Sequence, residues 1–157
     1  MLRWLWLAVA VIVLDQLTKW IAETALTLYA PKAVMPFLNF TLAYNEGAAF
    51  SFLAEAGGWQ RWFFVLLAVG ISILIILWLR RLPRDEKITA AGLSLILGGA
   101  IGNLIDRLWH GHVIDFIDVY YGRYHWPAFN IADSAITIGA GFLIAQALFF
   151  SREERKG

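Results

Sequence analysis

Apolar residues gather in four long blocks along the chain, and the polar stretches between them are of two kinds. The blocks run from Trp4 to about Ile21, Trp62 to Leu79, Ile88 to about Ile105, and Ala128 to Phe150. Each approaches the roughly 20 apolar residues that cross a bilayer as a helix. The first block follows Arg3, as the apolar core of a signal peptide follows its basic start, but Asp15 and Lys19 interrupt it and no small-x-small cleavage site follows. It reads as a retained helix. The linker "RRLPRDEK" is short and charged. The other two are aromatic: "FLNFTLAYNEGAAFSF" alternates Leu38, Phe40, Leu42 and Tyr44 with Asn39, Thr41, Ala43 and Asn45, the period of a strand. Asn45-Glu46-Gly47 supplies a turn after it. The expected architecture is an all-α membrane protein: one domain over residues 1–157, four transmembrane helices, and a small β-sheet on the outer membrane surface. "VYYGRYHWP" forms the second outer loop, and neither an internal repeat nor a low-complexity tract is visible.

Composition agrees. Hydrophobic residues make up 60% of the 157, and mean hydropathy is +0.64, against about 45–50% apolar residues in soluble domains. A net charge of +1 gives no basic field for nucleic acid. Cysteine is absent, which excludes disulfides, thiolate catalysis and cysteine-held metal. His110, His112 and His125 are scattered, as interfacial loop residues are. Arg3, Arg80, Arg81, Arg84, Lys87, Arg152, Arg155 and Lys156 all fall on one side of a four-span chain. By the positive-inside rule both termini are then cytoplasmic.

Acids at membrane depth are expensive, and each asks for a partner. Asp15 has Lys19 at i+4, a favourable helical spacing. Asp106 adjoins Arg107 and is expected to pair with it. Glu23 reads as a solvated helix-end residue. Asp115 and Asp133 are harder to explain. In one continuous helix they would stand roughly 27 Å apart, on opposite faces of the bilayer. Gly122 and Pro127 break such a helix, so the chain leaves the membrane and returns, bringing both acids to one face. Asn130, three residues before Asp133, is expected to share its helical face and orient it. If the segment around Asp115 is helical, Asp118 lies on the same face and is the alternative partner.

Two carboxylates held close do not both ionise readily, so one keeps a proton near neutral pH. Such a pair hydrolyses a peptide without metal, serine or cysteine. Paired membrane carboxylates also serve proton or ion carriers, and composition and spacing leave both readings open. A carrier would place its acids near the midplane and show internal symmetry.

The order of the motifs separates the two. "DQLTK" (Asp15–Lys19), "NEGAAF" (Asn45–Phe50), "GGAIGNLIDR" (Gly98–Arg107), "VIDF" (Val113–Phe116) and "FNIADS" (Phe129–Ser134) occur in sequence. In this the chain resembles the bacterial lipoprotein signal peptidases (signal peptidase II) over nearly its whole length. The resemblance implies an intramembrane aspartyl peptidase of the inner membrane, acting near its outer face without metal or cofactor. Its substrates would be prolipoproteins, cut just before a diacylglyceryl-modified cysteine, and membrane lipids its surroundings; a monomer is expected. Asp115 and Asp133 inherit the catalytic roles, and Asp15, Asn45, Gly47, Asn103, Arg107 and Asn130 supporting or substrate-binding ones. Asp118 lies outside the motifs and inherits none. Gly98, Gly99, Ala100 and Gly102 read as a close-packing surface, with room for a lipid-bearing substrate as the alternative, and the "NEGAAF" turn reads as a clamp pairing with an extended peptide.

Overall fold

The computed structural model describes residues 1–47 and 58–150, which form four long helices and one small sheet. The helices are α1 (Leu5–Ala25), α2 (Trp59–Arg81), α3 (Lys87–Trp109) and α4 (Ile131–Ala145), the last continued by a π-helical stretch, Gln146–Phe150. All four are long and apolar enough to cross a membrane. The first three run a few residues past the expected blocks. α4 instead starts later than the expected Ala128, because Phe129 is held extended by backbone hydrogen bonds with Ile117. Ala48, Ala49 and Phe50 of "NEGAAF", and the basic residues Arg152, Arg155 and Lys156, lie outside the described residues.

α3 packs against α1, α2 and α4 and is the most buried of the four. Its small residues make that possible. Gly98 faces Ala8 and Val11 of α1, while Gly99 faces Ala132 and Ile136 of α4. A Cβ on Gly139 of α4 would stand 2.6 Å from the Gly92 carbonyl oxygen, so neither helix has room for a side chain there. The expected small-residue surface on α3 is thus filled by neighbouring helices. α2, by contrast, turns large apolar residues outward: Leu66 is 71% and Leu74 66% exposed. In water these faces would be a liability; against acyl chains they are at home.

The sheet caps the end of the bundle where α1 and α3 finish and α4 begins. Its strands are β1 (Lys32–Met35), β2 (Leu38–Asn45), β3 (Val113–Tyr121) and β4 (Tyr124–His125), antiparallel in the order β1-β2-β3-β4. β2 is the strand that the alternation predicts, with one departure. Its register against β3 shifts between Phe40 and Ala43, a bulge that breaks the period of two. Asn39 and Leu42, three apart, are therefore the buried residues, and Phe40 and Tyr44 face outward. β1 and Leu28 pair with one edge of β2 over Leu38–Leu42, and β3 pairs with the other. β3, expected from sequence to be loop or helix, is a nine-residue strand. It turns into β4 through Gly122-Arg123, where Gly122 takes φ +60° at the first turn position. Ala22, Leu42, Ile114 and Phe116 form a small core between the sheet and the C-terminal end of α1.

Candidate active site

β3 delivers Asp115, and the N-terminus of α4 delivers Asp133. Asp115 is 2% exposed, and each of its oxygens accepts from an amide. Asn130 Nδ2 donates to Oδ1 at 2.8 Å and Asn45 Nδ2 to Oδ2 at 3.1 Å. Asn45 reaches it from β2, where the register sets Ala43 opposite Asp115. Asp133 is the third residue of α4, and Asn130 is the helix's N-cap. The Asp133 backbone N–H donates to Asn130 Oδ1 at 2.9 Å, and Asp133 Oδ2 accepts the Asn130 N–H at 3.3 Å. The two thus form a capping box. The shared helical face expected for Asn130 and Asp133 is corrected here: Asn130 is extended and outside the helix, because the Phe129–Ile117 pairing holds the chain straight up to it. From that position the fully buried Asn130 joins both residues: its Nδ2 donates to the Asp115 carboxylate, while its Oδ1 accepts the Asp133 N–H and its own N–H donates to the Asp133 carboxylate.

α3 contributes Asn103 and Arg107 from one face. Asn103 Nδ2 donates to Asp133 Oδ1 at 2.8 Å. Arg107 holds backbone rather than a carboxylate: Nη2 donates to the Gly47 carbonyl at 2.9 Å and Nη1 to that of Asn103 at 3.3 Å, with the guanidinium stacked 5.0 Å from the Phe64 ring centre. Gly47 in turn donates its N–H to Asn45 Oδ1 at 3.0 Å. Arg107 therefore ties the turn after β2 to α3, and that turn aims Asn45 at Asp115.

Asp15 of α1 has two duties. Its Oδ1 accepts the Ala132 N–H at 2.9 Å, satisfying one of the orphan amides at the start of α4. Its Oδ2 pairs with Lys19 Nζ at 2.8 Å, as the i+4 spacing predicts. Asp106 does not pair with Arg107. Adjacent residues on a helix point in different directions, so Asp106 faces α1, where Lys19 Nζ lies 2.7 Å away. It also accepts from Gln16 Nε2 at 2.8 Å and from the Ile114 N–H at 3.1 Å. Sequence reasoning missed Gln16 and the second partner of Lys19. Gln16 and Lys19 both belong to "DQLTK", whose polar side chains recur one helical turn apart in an apolar block.

A cavity of about 610 Å³ opens beside Asp133, with Asn45, Asn103 and Arg107 on its polar side and Trp126, Phe129 and Ile136 among its apolar walls. Asp115 is not part of the lining. Burial, reinforced by the neighbouring Asp133 charge, pushes the Asp115 carboxyl up to about 7, against the opposing donors Asn45 and Asn130 and the Lys19 charge. Asp118 is different. It accepts from Asn39 and Thr41 at 3.1 Å each and contacts His125 Nδ1 at 2.8 Å. Burial alone would raise its carboxyl, but these partners outweigh it and hold it below the usual range. Among the described residues no group of three or more His, Asp or Glu side chains is placed to hold a metal.

Four helices long and apolar enough to cross a membrane, with a sheet that holds a buried acid against a helix N-terminus, define a polytopic membrane protein with a site at one end of its bundle. Two bacterial membrane enzymes solved by the in meso method share this fold. One superposes with a TM-score of 0.81 at 36% identity, covering 93% of this chain and 87% of its own, and the other with 0.79 at 35%, covering 94% and 93%. The chain belongs to the signal peptidase (SPase) II family, whose pattern matches residues 7–149. A lipoprotein signal peptidase of Acinetobacter baumannii is 56% identical over 155 residues, which is 99% of this chain and 88% of that protein. One from Teredinibacter turnerae is 51% identical over 156 residues, 99% and 93% respectively. The protein is thus a membrane protease that removes signal peptides from prolipoproteins, and the carrier reading falls away.

Proposed function

We propose that this protease cuts its substrates with Asp115 and Asp133 acting together as an aspartyl dyad. The observation that carries the reading is Asn130: its buried side-chain amide donates to the Asp115 carboxylate, and its backbone N–H donates to the Asp133 carboxylate, so one residue holds both acids in place. Asp115, pushed up to about 7, keeps its proton near neutral pH. Asp133, receiving donors from Asn103 and the Asn130 N–H, is the ionised partner. Asp133 takes a proton from water as the water oxygen attacks the scissile carbonyl, and Asp115 gives its proton to the carbonyl oxygen. As the tetrahedral adduct collapses, the proton held by Asp133 passes to the leaving amine, the C–N bond breaks, and the adduct's hydroxyl proton returns to Asp115. Both products leave with the dyad restored.

The scissile bond lies just before a cysteine carrying a diacylglyceryl group. A cavity with a polar and an apolar side suits a substrate that is peptide on one side and lipid on the other. The one-sided run of basic residues in the sequence supports cytoplasmic termini, and with them a dyad near the outer face of the inner membrane. The enzyme works as a monomer among membrane lipids, with no metal or cofactor. Incubating purified protein with a diacylated prolipoprotein, in chelator and in serine- and thiol-directed reagents, tests the mechanism. Cleavage should persist in all three; loss in chelator, restored by zinc, would overturn it.

A further inference from the structure

Lys19 is one of the most deeply buried charges in the protein, at 1% exposure, and no direct hydrogen bond joins it to either acid of the dyad. An ammonium has three donors and no acceptor, and all three are used. Nζ lies 2.8 Å from Asp15 Oδ2, 2.7 Å from Asp106 Oδ2 and 3.0 Å from Asn103 Oδ1. The third contact matters for the chemistry. An asparagine amide has a donor end and an acceptor end of nearly equal size, and it turns whichever way its partners demand. Asn103 Oδ1 accepts from Lys19 and also from Asn130 Nδ2 at 3.2 Å. Turned over, Asn103 would set its NH2 against an ammonium and a second NH2, and its oxygen against the Asp133 carboxylate. The cation therefore fixes the amide, and Nδ2 is left to donate to Asp133 Oδ1 at 2.8 Å.

We propose that Lys19 is a positioning residue for catalysis: by pinning the Asn103 amide, it keeps a hydrogen-bond donor on Asp133 and so keeps Asp133 the ionised member of the dyad. This rests on the dyad reading above and adds to it a reason for the asymmetry of two chemically identical acids. The two remaining contacts of Lys19 explain why it stays put. Asp15 also holds the Ala132 N–H of α4, and Asp106 also holds the Ile114 N–H of β3. The cation thus sits where α1, α3, α4 and β3 meet, bonded to groups that anchor the two elements bearing the dyad. Its two carboxylate partners hold its rotamer, since a turn away would cost both buried acids their cation.

The charged groups around Asp133 are Asp115 on β3, Arg107 and Asp106 on α3, and Lys19 and Asp15 on α1, so a variant must hold the local charge constant. Lys19→Met with Asp106→Asn removes one charge of each sign, and Lys19→Met with Asp15→Asn does the same from the other side. Rates are normalised to folded protein, measured by thermal unfolding. The proposal expects kcat to fall roughly 10²-fold, as for a slight misplacement at a reacting centre, with KM within about a factor of two. It also expects the acidic limb of the pH profile to move, because the acid that takes the proton from water has lost a donor. A merely structural lysine would lower the folded fraction and leave the profile where it was, and that result overturns the proposal. It would leave the dyad standing if Asp133→Asn is inactive. Should neither double variant fold, the wild-type protein still decides. The Asn103 side-chain amide signals, assigned by their loss in Asn103→Gln, should shift in 15N-resolved NMR as pH passes through the acidic limb of kcat. Signals that stay fixed through that limb would contradict an amide that faces Asp133.

Discussion

Asp115 and Asp118, three residues apart on β3, point to opposite faces of the strand: Asp115 bonds Asn45 and Asn130, whereas Asp118 bonds Asn39, Thr41 and His125. In a helix they would have shared a face. The strand separates them, because successive side chains alternate, and Asp118 is left to tie β2, β3 and β4 together on the side away from Asp133. Asp118→Asn should therefore retain most of the turnover, since losing a general acid or base costs about 10²–10⁴-fold and losing a sheet contact does not. Cleavage rates of the variant and the wild-type protein check this; an inactive but folded Asp118→Asn would contradict it.

The Asp115 carboxyl sets the basic limb of the pH profile. It stands at about 7, and the dyad works with one proton. Raising pH through about 7 strips that proton and leaves two carboxylates and no acid, so kcat should fall above neutrality. Asn45 donates to Asp115 and favours its ionised form. In Asn45→Ala the falling limb should consequently shift to higher pH. A limb that moves down, or a rate that stays flat well into the alkaline range, would show that another group supplies the acid.

Gly99 separates packing from chemistry. A Cβ there would press on the backbone carbonyl of Ala132, next to Asp133, and that oxygen has no side-chain freedom to yield. Gly99→Ala should destabilise the protein by about 1–3 kcal/mol and lower the rate by shifting the start of α4. Gly141, in the same bundle, has open space where a Cβ would stand, with nothing within 4 Å, and Gly141→Ala should be neutral or stabilising by about 0.5–1 kcal/mol. Thermal unfolding of the two variants gives the comparison.

Asn130 is cap and bridge at once. Asn130→Ala removes an N-cap, worth about 0.5–2 kcal/mol, and takes a donor from Asp115 at the same time. Stability and kcat should fall together. If the melting temperature drops while kcat per folded molecule is unchanged, the bridge between the acids is not needed for turnover.

How much of this is legible in the sequence depends on the range of the interactions. Hydropathy marks out the four spans, since length and apolarity are local properties. The pairing of Asp15 with Lys19 is also local, at i+4, and it holds. The strand β3 escapes the sequence reading, although "VIDFIDVYY" is rich in β-branched and aromatic residues, the usual strand signal; two acids in it, and the breakers Gly122 and Pro127 after it, suggest a loop instead. The partner of Asp106 is misassigned because sequence adjacency to Arg107 suggests a contact that helix geometry denies. The cap role of Asn130 depends on a backbone pairing between residues 117 and 129, and a long-range pairing leaves little mark on the local pattern. The bulge in β2 is hidden for the same reason: its cause is the register of another strand.

The dyad itself is tested most directly by the rate at which purified Asp115→Asn and Asp133→Asn cleave a diacylated prolipoprotein, with substrate binding measured alongside. Asparagine keeps the shape of aspartate and cannot cycle a proton. Each variant should remain folded, bind the lipidated substrate, and turn over at least about 10²–10⁴-fold more slowly than the wild-type protein. Near wild-type cleavage by either variant would contradict the assignment of these two carboxylates as the acid and base of the reaction.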